Sequence, residues 1–129
     1  MSVGSWRMDF RKTERDYAVL VATSRDGARL DESKSILLVA LANAENTGMQ
    51  WNDDRTSVGA NWGEGPTMVN GVPVRITIPA GQKAKKVFAL DARGNRMRDV
   101  HGKISEDGSV SLSLGPEFKT VWYEITADE

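Results

Sequence analysis

The stretch Val72-Pro73-Val74-Arg75-Ile76-Thr77-Ile78 decides the fold class, because every second residue in it is a valine or an isoleucine. Successive side chains of an extended chain point to opposite faces, so this alternation predicts a strand with one face buried. The same alternation returns in Val110-Ser111-Leu112-Ser113-Leu114, shortly after the pair Asp107-Gly108. Asp-Gly is typical of hairpin turns, so these segments predict antiparallel β-structure.

Further short apolar segments, each bounded by turn-forming residues, continue this pattern along the chain. They predict strands at 17–23, 35–42, 85–90, 97–104 and 120–126. The segment 35–42 (SILLVALA) also suits a helix, because leucine and alanine are good helix formers and Asp31 or Ser33 can act as an N-cap. A strand is favoured, since a continuous apolar run between turn residues suits a central strand covered on both faces.

About eight strands with few helical windows predict an all-β fold, an antiparallel β-sandwich of jelly-roll or immunoglobulin-like type. A chain of 129 residues fits one such domain, which we expect to span residues 1–129. The residues expected in its core are Val19, Val21, Ile36, Leu38, Val74, Ile76, Val87, Phe88, Leu112, Val121, Tyr123 and Ile125.

Composition argues against several classes of protein. The 17 basic and 18 acidic residues leave a net charge of -1, so no overall positive field favours nucleic acid as a partner. No apolar run approaches the roughly 20 residues that cross a bilayer, so we expect no membrane partner. Cysteine is absent and His101 is the single histidine, which excludes thiolate metal ligands and a zinc site of several imidazoles. The chain also begins without a signal-peptide apolar core, so we expect any export signal to lie outside it.

The apolar periodicity fails over residues 43–70, which are rich in Gly, Asn and Asp and carry Trp51 and Trp62. Long irregular excursions commonly carry function. Short strands are expected inside this one at 49–51 and 56–58.

The two indoles stand among side chains suited to binding a sugar. The C–H face of a pyranose stacks on an indole, and its hydroxyls need planar donors and acceptors. The predicted binding residues of this segment are Trp51, Trp62, Asn46, Gln50, Asn52, Asp53, Asn61 and Glu64. The alternative is that both indoles only pin the long loop onto the sandwich.

Strand alternation sends Trp122 to the face opposite Tyr123 and Ile125. We therefore expect Trp122 on an outer face, as a platform for a glycan or for a neighbouring domain, or else partly buried beneath the long loop. Trp6 precedes the first secure strand and is expected to be a packing anchor or a residue at the edge of the fold.

Catalysis and metal binding have weaker signals. Two carboxylates can hydrolyse a glycosidic bond, and Asp53, Asp54, Glu64 and Glu124 supply carboxylates, but their spacing matches no motif. Asn52 with Asp53 and Asp54 offers hard oxygen ligands, so calcium is a possible ligand although no EF-hand spacing is present. No catalytic residues, no resident metal and no cofactor are expected.

Several stretches occur together as a set: Thr23-Ser24-Arg25-Asp26-Gly27, Glu32-Ser33, Ile36-Leu37-Leu38, Glu45-Asn46-Thr47-Gly48-Met49-Gln50-Trp51, Trp62-Gly63-Glu64-Gly65-Pro66, Ala89-Leu90-Asp91 with Gly94, and Val121-Trp122-Tyr123-Glu124-Ile125. As a set they resemble the β-sandwich accessory and carbohydrate-binding domains of modular bacterial glycoside hydrolases. The likeness covers about residues 17–125, and its most specific part is the Asn-Thr-Gly-Met-x-Trp and Trp-Gly-x-Gly-Pro pair.

The resemblance implies a non-catalytic carbohydrate-binding module, secreted or periplasmic as part of a larger enzyme. Such a module attaches a glycoside hydrolase catalytic domain of the same parent chain to a plant cell-wall polysaccharide of β-glucan, xylan or mannan type. Binding of this kind raises the local concentration of the enzyme on its substrate. The alternative is a structural accessory β-sandwich that packs against a catalytic barrel and binds no glycan.

Overall fold

The structure, a computed structural model, describes residues 2–3, 5–13 and 17–127. Within these residues the chain forms twelve β-strands and one short 3-10 helix. The strands are β1 (Ser2–Val3), β2 (Trp6–Phe10), β3 (Val19–Ser24), β4 (Ser35–Leu41), β5 (Ala44–Thr47), β6 (Glu64–Val69), β7 (Val74–Ile78), β8 (Lys86–Leu90), β9 (Arg96–Val100), β10 (Lys103–Ile104), β11 (Val110–Leu114) and β12 (Trp122–Thr126), and the 3-10 helix η1 (Pro116–Phe118) precedes β12.

Ten of these strands form two five-stranded sheets. The first sheet has the order β1-β2-β7-β11-β10, the second has the order β3-β4-β12-β8-β9, and β5 and β6 pair separately as a hairpin. The pairings in both sheets are antiparallel. The two sheets pack face to face around a shared apolar core, so the predicted antiparallel β-sandwich is confirmed.

The core forms because alternate residues of each strand point between the sheets. The alternating stretch that predicted the fold supplies Val74, Ile76 and Ile78, and β12 supplies Tyr123 and Ile125. Burial raises the pKa of Tyr123 to about 12, because the charged form loses its hydration in the core. Strand β4 is a strand and not a helix, but only its inner row is fully buried and its outer row is half-buried.

Four predicted core residues lie elsewhere. Val19 and Val21 point outward, Val21 with 47% of its surface exposed, because β3 places Leu20 and Ala22 against the core instead. Phe88 faces outward under the guanidinium of Arg96, 4.1 Å from its ring centroid. Val121 is half-buried because β12 begins one residue after it.

Several strand predictions need correction. The expected strands at 49–51 and 56–58 are absent, and β5 and β6 lie on either side of them. The expected strand at 97–104 is two strands in different sheets, β9 and β10. The chain crosses between the sheets at His101 and Gly102, where a Cβ on Gly102 would collide with Val110.

The connection between β3 and β4 is built around the carboxylate of Asp26. Its oxygens accept hydrogen bonds from the Lys34 amide at 2.7 Å and from the Ser24 and Ser33 hydroxyls at 2.8 Å each. These donors, the Lys34 amide foremost, hold the pKa of Asp26 far below its usual range. Asp26 is therefore an ionised part of the fold.

Trp6 is a packing anchor, as predicted. It is buried in the core, and its indole Nε1 donates to Oε1 of the buried Gln82 at 3.2 Å. Gln82 in turn donates to the carbonyls of Leu30 and Ser33. Trp6 is thus used in packing, with 6% of its surface exposed.

The outer faces of the two sheets differ in chemistry. The first sheet presents polar residues such as Arg7, Arg75 and Ser113. The second presents an apolar patch in which Val21, Val39 and Trp122 stand side by side in register, next to the ion pairs of Glu124. Among the residues with assigned structure, no helix has the length and apolar character required to cross a membrane.

Candidate functional site

The segment that carries Trp51 and Trp62 is a hairpin that projects from the sandwich. We call residues 44–69 the tryptophan hairpin; it comprises β5, β6 and the loop between them. Its base is closed where the Asn70 amide donates to the Asn43 carbonyl at 3.0 Å. None of its residues belongs to the main core, and both faces of β6 are exposed. Any function of the hairpin is therefore exerted at the surface.

The loop is ordered by its own contacts. The Gln50 amide donates to the Asn61 carbonyl at 3.0 Å, and the Asn61 amide donates to the Val58 carbonyl at 2.8 Å. Val58 is 7% exposed, and it is the buried residue of this otherwise exposed loop. Gly63 has a φ of 72°, and a Cβ there would overlap the Thr47 carbonyl oxygen and the Met49 amide nitrogen. These contacts therefore give the loop a defined backbone conformation.

Two residues contact the indole of Trp51, one over a face of the ring and one at its edge. Its Nε1 donates to Glu45 Oε1 at 3.1 Å, and the guanidinium of Arg55 lies 4.7 Å from the centroid of the indole. Arg55 also pairs with Glu45 at 2.8 Å and has a φ of 57°, an unusual conformation for a residue with a side chain. The indole is 37% exposed, so only part of it is offered to solvent.

Trp62 is the most exposed indole of the chain, with 63% of its surface accessible. Its side chain makes no hydrogen bond with any of the residues described, while its backbone is fixed, because Asn46 Nδ2 donates to the Trp62 carbonyl at 3.0 Å. Gln50, Asn61 and Glu64 adjoin it through the loop hydrogen bonds and the chain itself. Within the described part of the chain their side chains also lack hydrogen-bond partners, so their polar groups face solvent.

Other predicted binding residues serve the loop instead. Asn46 bridges the hairpin, since its Oδ1 also accepts from Thr67 Oγ1 at 2.9 Å. Asn52 Oδ1 accepts the amide of Thr56 at 2.8 Å, and its Nδ2 donates to the Thr56 hydroxyl at 3.0 Å. Asp53 is exposed on the same turn. The structure therefore leaves the side chains of Gln50, Asn61 and Glu64 exposed on the segments next to Trp62, and it uses Asn46 and Asn52 internally.

Trp122 lies outward on β12, as expected, and is 40% exposed. Two open grooves meet at its indole and share Asp91, Ala92 and Trp122; their volumes are about 560 Å³ and 340 Å³. We call these grooves together the Trp122 cleft. The first also contains Val69, Asn70, Met97 and Lys119, and the second also contains Arg25, Leu37 and Arg93. The cleft is a feature that the sequence did not reveal, because residues distant in the chain line it.

The carboxylates considered for catalysis or calcium are dispersed. Glu124 lies on the second sheet, where Arg96 at 2.6 Å and Arg25 at 3.5 Å pair with it. Asp54 Oδ1 accepts the Thr56 hydroxyl at 2.8 Å within the loop turn. Among the residues whose placement is described, no three His, Cys, Asp or Glu side chains form a metal-binding group.

Comparison with known proteins adds no relative. A scan against protein-family models found no match, and searches of curated proteins and of solved structures found no significant match to this chain.

Proposed function

We propose that this domain is a non-catalytic carbohydrate-binding module that holds a polysaccharide on its exposed indoles, Trp62 and Trp122. In an enzyme that carries it, the module keeps a glycoside hydrolase domain close to its insoluble substrate. The proposal joins the resemblance of the sequence to the accessory modules of glycoside hydrolases with the surface presented by the folded chain.

The exposure of Trp62 on a fixed backbone is the observation that carries the proposal. A tryptophan that only pinned the loop would bury its ring, as Trp6 does at 6% exposure, whereas 63% of Trp62 faces solvent. Its position is nonetheless held by the Asn46 hydrogen bond and by the close packing of Gly63. An exposed ring on a fixed backbone is partly preorganised for stacking, which lowers the cost of ordering on binding.

The polar groups around Trp62 match the other requirement of sugar binding. Gln50 and Asn61 each offer a planar amide that both donates and accepts, and Glu64 offers a carboxylate. A sugar stacked on the indole would find these exposed groups on the neighbouring residues as partners for its hydroxyls. Trp51 contributes less, because Arg55 lies over its ring and Glu45 binds its Nε1.

Affinity electrophoresis against a panel of soluble polysaccharides tests the proposal. We expect retardation by at least one glycan, and we expect Trp62→Ala or Trp122→Ala to weaken it roughly tenfold, as the loss of an aromatic anchor does in other complexes. Ile104→Ala is a matched control, because Ile104 is 74% exposed on β10 and belongs to neither surface. If no glycan retards the wild-type domain, the proposal is wrong.

The apolar outer face of the second sheet favours a second candidate, a structural module that packs against the catalytic domain of the same chain. Val21 is 47% and Leu41 36% exposed on this face, and contiguous apolar surface of this kind marks protein contacts. Val21→Asp separates the two candidates, because Val21 is two strands from Trp122, about 10 Å. The structural candidate predicts no glycan binding by the wild-type domain and a lower thermal midpoint for a catalytic domain fused to the variant, whereas the carbohydrate-binding candidate predicts that the variant keeps the glycan affinity of the wild type.

A further inference from the structure

The residues that line the Trp122 cleft include more basic than acidic side chains. Lys119 lies in one groove, Arg93 and Arg25 lie in the other, and Asp91 is the acidic residue common to both. Arg25 pairs with Glu124 at 3.5 Å. Lys119 and Arg93 form no salt bridge with any described residue, so neither charge is neutralised by an ion pair.

Asp91 forms no ion pair with Lys119 or Arg93, because its carboxylate is engaged in the turn between β8 and β9, and its single negative charge leaves these two cations in excess. Oδ1 accepts the amides of Arg93 and Asn95 at 2.8 Å each, and Oδ2 accepts Asn95 Nδ2 at 3.1 Å. Its oxygens are therefore directed into the turn, whereas the cationic side chains are free to meet a ligand.

Lys119 stands in a backbone conformation that disfavours it. It ends η1 with a φ of 53° and a ψ of 36°, where its amide donates to the Pro116 carbonyl. Glycine is the usual residue in this left-handed conformation, since a side chain there costs about 1–2 kcal/mol. The lysine side chain makes no ion pair in the described structure to offset this cost, and the residue lines the groove that contains Trp122.

We infer that the Trp122 cleft binds an acidic polysaccharide, with a sugar ring stacked on Trp122 and carboxylates of uronic acid residues directed towards Lys119 in one groove and Arg93 in the other. This inference rests on the proposed function and specifies the glycan. Two open grooves that share Trp122 suit an internal stretch of polymer, with one part of the chain in each groove. A neutral glucan or mannan would leave both cations without a partner.

Calorimetric titration with polygalacturonate and with its methyl ester tests the inference, because the two polymers share a backbone and differ in charge. We expect wild-type protein to bind the acid at least tenfold more tightly than the ester at low salt, and added salt to narrow that ratio. Lys119→Gly removes the charge and permits the left-handed backbone, so a loss of affinity for the acid cannot come from strain. We expect this variant and Arg93→Gln each to lose roughly fivefold in affinity for the acid and little for the ester, as partly exposed charge pairs do.

Three controls fix the site. Lys83→Gln removes an exposed cation outside the cleft and should leave the ratio unchanged. Trp122→Ala should abolish the preference for polygalacturonate over its methyl ester. Trp62→Ala should preserve the ratio of the two affinities. Equal binding of the two polymers, or a preference that survives in the double variant of Lys119 and Arg93, overturns the inference and leaves the proposed function standing. Failure to bind any glycan in the wider panel overturns both.

Discussion

Replacement of Gly63 by alanine should disorder the tryptophan hairpin and leave the sandwich folded. At a φ of 72° the left-handed conformation alone costs an alanine about 1–2 kcal/mol. The new Cβ would also lie 2.6 Å from the Met49 amide nitrogen, so the two backbone segments must separate. Separation breaks the Gln50–Asn61 and Asn46–Trp62 hydrogen bonds, which join the two segments, and each of these contributes about 1 kcal/mol. The total expected loss of local stability is about 3 kcal/mol.

Amide hydrogen exchange measures this loss where it occurs. In Gly63→Ala, the amides of Met49, Gln50 and Asn61 should exchange faster by about two orders of magnitude, which is the ratio that about 3 kcal/mol produces. The amides of the core strands should keep their protection, because no hairpin residue belongs to the main core. The retardation of this variant by glycans in affinity electrophoresis should also decrease, because Trp62 lies in the disordered loop.

Gly59→Ala is the matched control. Gly59 also has a positive φ, 56°, but a Cβ there meets nothing within 4 Å. This variant isolates the cost of conformation, and its loop amides should lose about tenfold in protection or slightly more. Equal protection in the two alanine variants would refute the argument that close packing at Gly63 positions Trp62.

Three further predictions concern the rest of the fold. Ile125→Ala, at a fully buried position, should lower the free energy of unfolding by about 3–4 kcal/mol in urea titrations; a loss below about 1 kcal/mol would place Ile125 outside the core. Because the pKa of Asp26 is lowered on folding, its contribution to stability is complete above the ordinary carboxyl pKa of about 3.9 and is lost as pH falls below it. Urea titrations from pH 7 to pH 3 should therefore show that Asp26→Asn has a lower free energy of unfolding than wild type at neutral pH, and that this difference narrows as the pH falls. A difference in the free energy of unfolding that does not change with pH would contradict this. Arg55→Gly should leave overall stability within about 1 kcal/mol of wild type, because relief of the left-handed strain offsets an exposed ion pair. The same change should make the fluorescence of Trp51 more accessible to iodide, and unchanged quenching would show that Arg55 does not cover the ring.

The strands that the sequence predicted well are those that face the core on one side and solvent on the other. Residues 74–78 and 110–114 alternate in both sequence and burial, so periodicity located them. In β3 both rows are apolar, and the sequence contains nothing that distinguishes Leu20 from Val21. Its orientation depends on the registry with β4, which is a tertiary property.

The hairpin strands escaped prediction for the opposite reason. Every residue of β6 is exposed, so neither face selects apolar side chains and no alternation exists to be read. Some features of the candidate site could likewise be predicted from the sequence, and others could not. The exposure of Trp122 followed from strand alternation, whereas the contribution of Lys119 and Arg93 depends on how two turns meet beside β12. Sequence likewise could not distinguish Asn46, which bridges the hairpin, from Asn61, whose amide faces solvent.

The closure of the hairpin at Asn43 and Asn70 separates the tryptophan hairpin from the part of the chain that forms the main core. Because the main core includes nothing from 44–69, that segment is free to vary in length and composition while the sandwich keeps its stability. The domain is therefore a suitable scaffold for library design: randomising the insert between these two asparagines would generate new specificities on an unaltered support.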